Sequence, residues 1–367
     1  MTNLPSEADN MRINSSIFSR MSNDLAHRTR WMKAAALRHG FMGAGISKAE
    51  HMGEEARRLE TWLSKDYHGE MSYMANHFEL RTDPTQLVPG ARSVISLMYN
   101  YFPGEKAERA DGPEESSPLL KKAGGLSLQY PKTSPPLKGD GGLSTHHSPF
   151  KISRYAYGED YHKIVRRKLK ALLRDMKSEF GDFHARVFVD SGPVLERDWA
   201  KRSGLGWIGR NTLLIDPRTG SYFFLAEIIL DLQFEYDHPI RDHCGTCRRC
   251  IDACPTDAIS EEGYVLDGSK CISYLTIELK SAIPDTFKGH MENWIFGCDI
   301  CQEVCPWNRF STPHEEPAFK QNEKVNEMRD QDWKTLKEDL FDELFSKTPL
   351  KRTGFTGLKR NIRFVSD

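Results

Sequence analysis

All eight cysteines of this 367-residue chain fall between positions 244 and 305, and no other feature limits its fold so tightly. Four stand in Cys244-Gly-Thr-Cys247-Arg-Arg-Cys250-Ile-Asp-Ala-Cys254-Pro255, and three in Cys298-Asp-Ile-Cys301-Gln-Glu-Val-Cys305-Pro306. Cys271 lies between the two groups, in LDGSKCISYLTIELK. A disulfide framework spreads its cysteines through a short secreted chain. Here 243 residues precede the first cysteine, and such crowding favours metal ligation in a reducing compartment.

The first group has the C-x2-C-x2-C-x3-C-P spacing of two-cluster bacterial ferredoxins, in which the fourth cysteine serves the other cluster. Three thiolates two residues apart wrap one cubane in a tight loop, and the proline then turns the chain toward a neighbouring site. Cys298 and Cys301 lack a third close partner, and Cys271 supplies it. The expected ligand sets are therefore Cys244, Cys247, Cys250 and Cys305 for one [4Fe-4S] cluster, and Cys254, Cys271, Cys298 and Cys301 for the other. Two four-cysteine zinc sites would use as many thiolates, but structural zinc favours paired CxxC knuckles over a triple run ending in Cys-Pro.

Acidic and basic residues nearly balance, for a net charge of -1, so the total says little about partners. The N-terminal stretch lacks signal-peptide form, and no apolar run has the length of a bilayer span; the expected location is the cytoplasm. The run YFFLAEIILDL, Tyr222 to Leu232, is short and carries Glu227, and reads as a buried strand or helix.

Periodicity predicts helix, turn and helix over 24–64, the turn being the glycine-rich GFMGAGIS. Helical character follows in HGEMSYMANHFEL, then a strand over 91–101. Residues 103–149 are rich in proline, glycine, serine and charge and read as a long surface excursion. A helix stopped near Gly181 follows, with a stripe of Ile164, Leu169, Leu172 and Leu173, and then a strand HARVFVD ending at Asp190. Helix, glycine-rich loop and strand are expected from there to Asp216. The expected fold class is multidomain, α+β or α/β: an α/β-like rhythm over 1–235, then a two-cluster domain over 236–312 and a helical, basic segment over 313–367.

Asp190, where a strand meets Ser-Gly-Pro, suits a general acid lining a crevice, or equally the cap of a helix beginning near Pro193. GLGWIGRN is not a dinucleotide fingerprint, since it precedes a strand rather than opening a helix. Its Gly206, Gly209, Arg210 and Asn211 either cradle a large polar cofactor or form a tight packed turn. His51, His68, His77 and His162 lack metal-ligand spacing and read as surface or core histidines. Lys163, Arg166, Arg167, Lys168 and Lys170 read as a solvated helix face. Together with six basic residues between Lys347 and Arg363, they make an RNA-binding surface plausible.

WLSKDYHGEMSYM, RTDP, RYAYGEDYH, VFVDSGPVLERDWAKRSGLGWIGRNTLL, DHCGTCRRCIDACPT, CISYLTIELK and IFGCDICQEVCPWN together resemble the epoxyqueuosine reductase family, over nearly the whole chain. The resemblance implies a cobalamin-binding α/β domain arranged as in reductive dehalogenases, a ferredoxin-like domain with two [4Fe-4S] clusters, and a short helical C-terminal segment. It implies reduction of epoxyqueuosine at the tRNA wobble position to queuosine, with electrons passing through the clusters to cobalamin from a reductant or donor protein the sequence does not identify. Asp190 takes the proton-donor role, with a pKa raised by burial. Arg81, Tyr155, Asp190, Arg197 and Asn211 fall on the cobalamin-contacting surface. The chain departs from the family in its longer 103–149 segment and in lacking room for the helical-repeat extension of some members. The sequence leaves the oligomeric state open, with a monomer as one reading. Two other readings use the same cysteines: a corrinoid and iron-sulfur reductase of a small molecule such as an organohalide, and a two-cluster electron carrier without catalysis.

Overall fold

The computed structural model describes residues 24–104 and 148–366. Most of the expected surface excursion, residues 105–147, lies outside the described residues.

Residues 24–38 form helix α1. Strand β1 (Gly43–Lys48) and helix α2 (Gly53–Ser64) follow. Two short helices, α3 (Phe78–Thr82) and α4 (Pro84–Leu87), lead into strand β2 (Ser93–Asn100). After the two-residue strand β3 (Lys151–Ile152) comes the long helix α5 (Tyr161–Phe180), opened by the Asp160 side chain, which accepts from the His162 amide. Strand β4 (Ala185–Phe188), helix α6 (Glu196–Arg202) and the short hairpin of β5 (Trp207–Ile208) and β6 (Leu214–Ile215) precede strand β7 (Phe223–Leu230).

The main sheet has the order β1-β2-β7-β4, and every neighbouring pair is antiparallel. The large domain thus takes the α+β form of the expected class, with helices on both faces of an antiparallel sheet. Alternation along β2 explains this. Ile95, Leu97 and Tyr99 pack with Met32 of α1 and Leu169 of α5, whereas Val94 packs with Trp199 of α6 and Met98 with Ala200.

Three local expectations change. GAGIS is not a turn but strand β1, paired with β2 from Gly43 to Lys48. Its glycine has a packing cause: a Cβ on Gly45 would lie 2.1 Å from the Ser203 carbonyl oxygen at the end of α6. The expected helix in HGEMSYMANHFEL shrinks to a turn at Ser72–Met74 and to α3, because His77 adopts φ 57° immediately before it. Asp190 caps no helix, since α6 begins at Glu196 with Leu195 at its N-cap.

The cysteine-rich part carries helix α7 (Arg249–Asp252), helix α8 (Ile272–Ile277), strand β8 (Trp294–Phe296) and helix α9 (Ile300–Glu303). Strand β3 joins it by parallel pairing with β8. Four C-terminal helices follow: α10 (Glu323–Glu327), α11 (Asp330–Lys334), α12 (Glu338–Phe345) and α13 (Gly354–Ser366). The fully buried Asn361 of α13 donates to the carbonyls of Thr276 and Ile295, at 2.8 and 2.9 Å. Arg360 donates to those of Leu275, Leu279 and Ser281. Part of the basic C-terminus therefore staples the fold instead of forming an open RNA surface. Among the described residues no helix is long and apolar enough to cross a membrane.

Because the atoms facing Gly45 are backbone and cannot rotate away, Gly45→Ala is expected to cost about 1–3 kcal/mol of stability. The midpoint of chemical or thermal unfolding measures it.

Candidate active site and cluster pockets

Two cavities, of about 830 and 380 Å³, lie between the sheet domain and the cysteine-rich part. The larger is lined by Asp190 and by aromatic side chains including Trp62, Tyr73, Tyr264 and Tyr274. The smaller is lined by Asn211, Cys254, Cys298 and Cys301. Tyr155, Tyr161, Arg197, Thr212 and Cys271 line both. An apolar pocket of this size with a few converging polar groups takes a cofactor-sized ligand.

Asp190 sits between β4 and α6 with φ 55°, a left-handed conformation that Asp tolerates better than most residues. One carboxylate oxygen meets three neighbours: the Tyr161 hydroxyl at 2.8 Å, His162 Nε2 at 2.8 Å and Arg352 Nη1 at 3.4 Å. Tyr161 is itself fixed by stacking on Phe224, with centroids 3.9 Å apart and planes 3° from parallel. Burial pushes the Asp190 pKa up, but the His162, Tyr161 and Arg352 contacts outweigh it and hold the carboxyl below its ordinary value. The sequence expectation of a raised pKa is thus reversed, because burial was counted there without its partners.

The neighbouring imidazole takes the other side of that balance. Burial lowers the His162 pKa, and the Asp160 and Asp190 carboxylates more than offset it, so the net shift is upward. His162 Nδ1 lies 2.6 Å from Asp160 and keeps its proton there. Nε2 then faces two incompatible neighbours, since Arg352 Nη2 at 2.8 Å can only donate to it. With a proton on Nε2, His162 donates to the Asp190 carboxylate. With the proton on Asp190, Nε2 offers its single lone pair to the aspartic acid or to Arg352. Asp190 and His162 therefore form one unit that holds a transferable proton at either atom.

The thiols gather in two sets. Burial and the adjacent thiols of Cys244 and Cys247 push Cys250 up to about 11. Burial and the thiols of Cys244, Cys250 and Cys247 push Cys305 up to about 12. In the second set burial leads again, with Cys254 beside Cys271, Cys301 and Cys271 beside Cys298, and Cys271, Cys250 and Cys254 beside Cys301. Cys250 and Cys301 are the point where the sets meet. Cys250 and Cys305 thus feel thiols of the first expected set, Cys271 and Cys298 those of the second, and Cys301 those of both. Among the described residues no three His, Cys, Asp or Glu side chains are close enough to share a single ion. Buried thiols crowded in this way become favourable ligands once a multi-iron cluster neutralises them. Cys271 sits at the N-cap of α8 and Cys244 Sγ lies 3.4 Å from Trp207 Nε1, so local structure fixes both.

The expected cofactor-contacting residues separate. Tyr155 and Arg197 line both cavities, and Arg197 is tied to the Thr212 carbonyl. Asn211 lines the smaller cavity and donates to the Cys301 carbonyl at 3.2 Å. Arg81 lines neither; it donates to the carbonyls of Tyr73 and Asn76 and so shapes the segment that does. Gly206 and Gly209 pack against Ile215, the bland alternative for that loop. Arg210 reaches away to the carbonyls of Glu262 and Gly245. His162 and Arg352 escaped the sequence reading: His162 has no metal-ligand spacing, and Arg352 comes from 162 residues further along than Asp190.

Residues 81–191 match the family model described as epoxyqueuosine reductase QueG, DUF1730, and residues 243–308 match a 4Fe-4S double cluster binding domain. The chain is 49% identical to an epoxyqueuosine reductase of Cyclobacterium marinum over 92% of its own length and 97% of the relative's. Against that of Pseudomonas aeruginosa identity is 39%, covering 88% and 80%. Among solved structures it resembles an epoxyqueuosine reductase with an epoxyqueuosine-modified tRNA stem loop, at TM-score 0.74, 28% identity, and 91% and 79% coverage. A Bacillus subtilis epoxyqueuosine reductase whose catalytic aspartate loop is swung out of the active site matches at TM-score 0.74 and 27% identity, with 91% and 79% coverage. With that extent of identity, the chain belongs to the epoxyqueuosine reductase family.

Proposed function

We propose that the protein reduces the epoxide of epoxyqueuosine at the wobble position of tRNA to queuosine. The observation that carries this reading is a shared wall. Cys271, of the second thiol set, lines the same cavity as Asp190, so reducing equivalents and a proton meet in one chamber. The overall change takes two electrons and two protons and releases the epoxide oxygen as water. Cobalamin, when bound, supplies a strongly reducing cobalt centre; the aromatic lining with Tyr155, Arg197 and Asn211 offers it an apolar seat with a few polar anchors.

The chain's own residues manage the proton. Asp190 delivers it to the departing oxygen, where negative charge develops. Tyr161 orients the carboxylate, His162 returns a proton to it, and Arg352 balances the remaining negative charge. The aromatic chamber suits a base drawn out of the anticodon loop, where unstacking is easier than in a duplex. Exposed Lys163, Arg166, Arg167 and Lys170 of α5 continue outward from His162 and suit tRNA phosphates. In this reading residues 1–235 are catalytic, 236–312 hold the clusters, and 313–367 close over both. The enzyme works in the cytoplasm, fed by a separate electron donor.

Asp190→Asn is expected to retain both clusters and cobalamin while losing turnover by about 10²-fold or more. Nucleoside mass spectrometry of tRNA containing epoxyqueuosine measures the loss of oxygen, and full activity would remove Asp190 from the proton-donor role. Cys271→Ser is expected to lose about half of its iron, as one of two four-iron clusters fails. Unchanged iron in a folded variant, or zinc in place of iron in the wild-type protein, would overturn the ligand assignment.

A further inference from the structure

The loop that presents Asp190 rests on a second carboxyl group. Glu196, the first residue of α6, accepts the Asp190 amide hydrogen at 2.6 Å. Behind it stands Glu227, fully buried in the middle of β7, directly opposite Phe188 on β4 and Ser96 on β2. An acidic residue has no ordinary place in a central strand packed on both sides. Neither Glu227 oxygen nor Ser96 Oγ has a conventional donor or acceptor. The Glu227 and Glu196 carboxyls nonetheless act on each other across the interior. Two carboxylates have no hydrogen between them, so the pair can bond only when one of them carries a proton.

We infer that Glu196 and Glu227 share one proton and act as positioning residues, a buried latch that holds the Asp190 loop turned into the cavity. The pair does not touch substrate. Glu227 anchors Glu196 to the sheet, and Glu196 fixes the Asp190 amide. That bond stabilises the left-handed backbone that aims the carboxylate at Tyr161 and His162. Burial, with the nearby Asp190 charge, pushes Glu196 up to about 8. Burial and Glu196 push Glu227 well above the carboxylate range. Both directions agree with a retained proton. A Bacillus subtilis epoxyqueuosine reductase has been captured with its catalytic aspartate loop swung out of the active site; on the Asp190 reading above, a latch here would oppose the same movement. The importance of the loop rests on the Asp190 reading above; the latch itself does not.

The test uses the anaerobically purified holoenzyme. Hydrogen exchange over 188–196 is expected to accelerate about tenfold or more in Glu196→Ala, the equivalent of one lost hydrogen bond. Glu196→Gln is expected to recover most of the protection, because its amide oxygen still accepts from Asp190 and its NH₂ donates to Glu227. Infrared difference spectra at neutral pH are expected to show a protonated carboxyl band that Glu227→Gln abolishes. In kinetics, Glu196→Ala lowers kcat with little change in KM for tRNA, and Glu196→Gln restores most of it. Wild-type exchange in Glu196→Ala, or a carboxyl spectrum unchanged by Glu227→Gln, would overturn the latch. A loosened loop with undiminished turnover would leave the latch standing and overturn the proton-donor role of Asp190.

Discussion

The buried pairing of Arg154 with Asp299 and Glu303 makes one site out of two distant stretches of chain. Arg154 Nη1 lies 2.5 Å from Glu303 and 3.5 Å from Asp299, and all three side chains are nearly inaccessible. The Arg154 amide and the Ser153 hydroxyl also donate to Asp299, so the carboxylate is saturated with donors. Asp299 lies between Cys298 and Cys301 in sequence, and Arg154 immediately precedes Tyr155. The ion pair therefore sets the distance between a wall of the large cavity and the second thiol set. A buried network of this kind is expensive to desolvate, and removing one partner costs about 3–5 kcal/mol because the others remain charged. Its value lies in specificity: the β3–β8 pairing and the Asn211 bond to the Cys301 carbonyl hold only in the same docked arrangement.

What could be read from the sequence followed from short-range chemistry. Ligand spacing is local, so the expected cysteine sets emerge from counting alone, and the fold brings cysteines from separate stretches close enough for Cys250 and Cys254 to act on Cys301. Helix α5 and strands β2 and β4 were visible because their apolar periodicity is strong and their stops are glycine or a turn. Strand β1 was hidden because the glycine that admits the end of α6 also looks like turn chemistry. His162 and Arg352 were hidden for a different reason. Each acquires its role from a partner far along the chain, and neither carries a spacing that announces it. The direction of the Asp190 shift was misjudged on the same ground, since burial is guessable from a strand end but its hydrogen-bond donors are not.

The carboxyl groups around the cavity illustrate how one small region supports opposite protonation preferences. Asp190 has three donors or cations around it and is held low, while Glu196, a few residues on, has a buried carboxyl behind it and is pushed up to about 8. Environments that separate neighbouring acids in this way assign them different tasks. The proposed donor is the acid held low, and the proposed latch includes the acid held high.

Cys271 belongs to the wall of both cavities. With Cys271 as a ligand of the second cluster, as proposed, oxygen damage there would alter the wall of the corrin seat as well as the electron supply, so the two cofactors would be lost together.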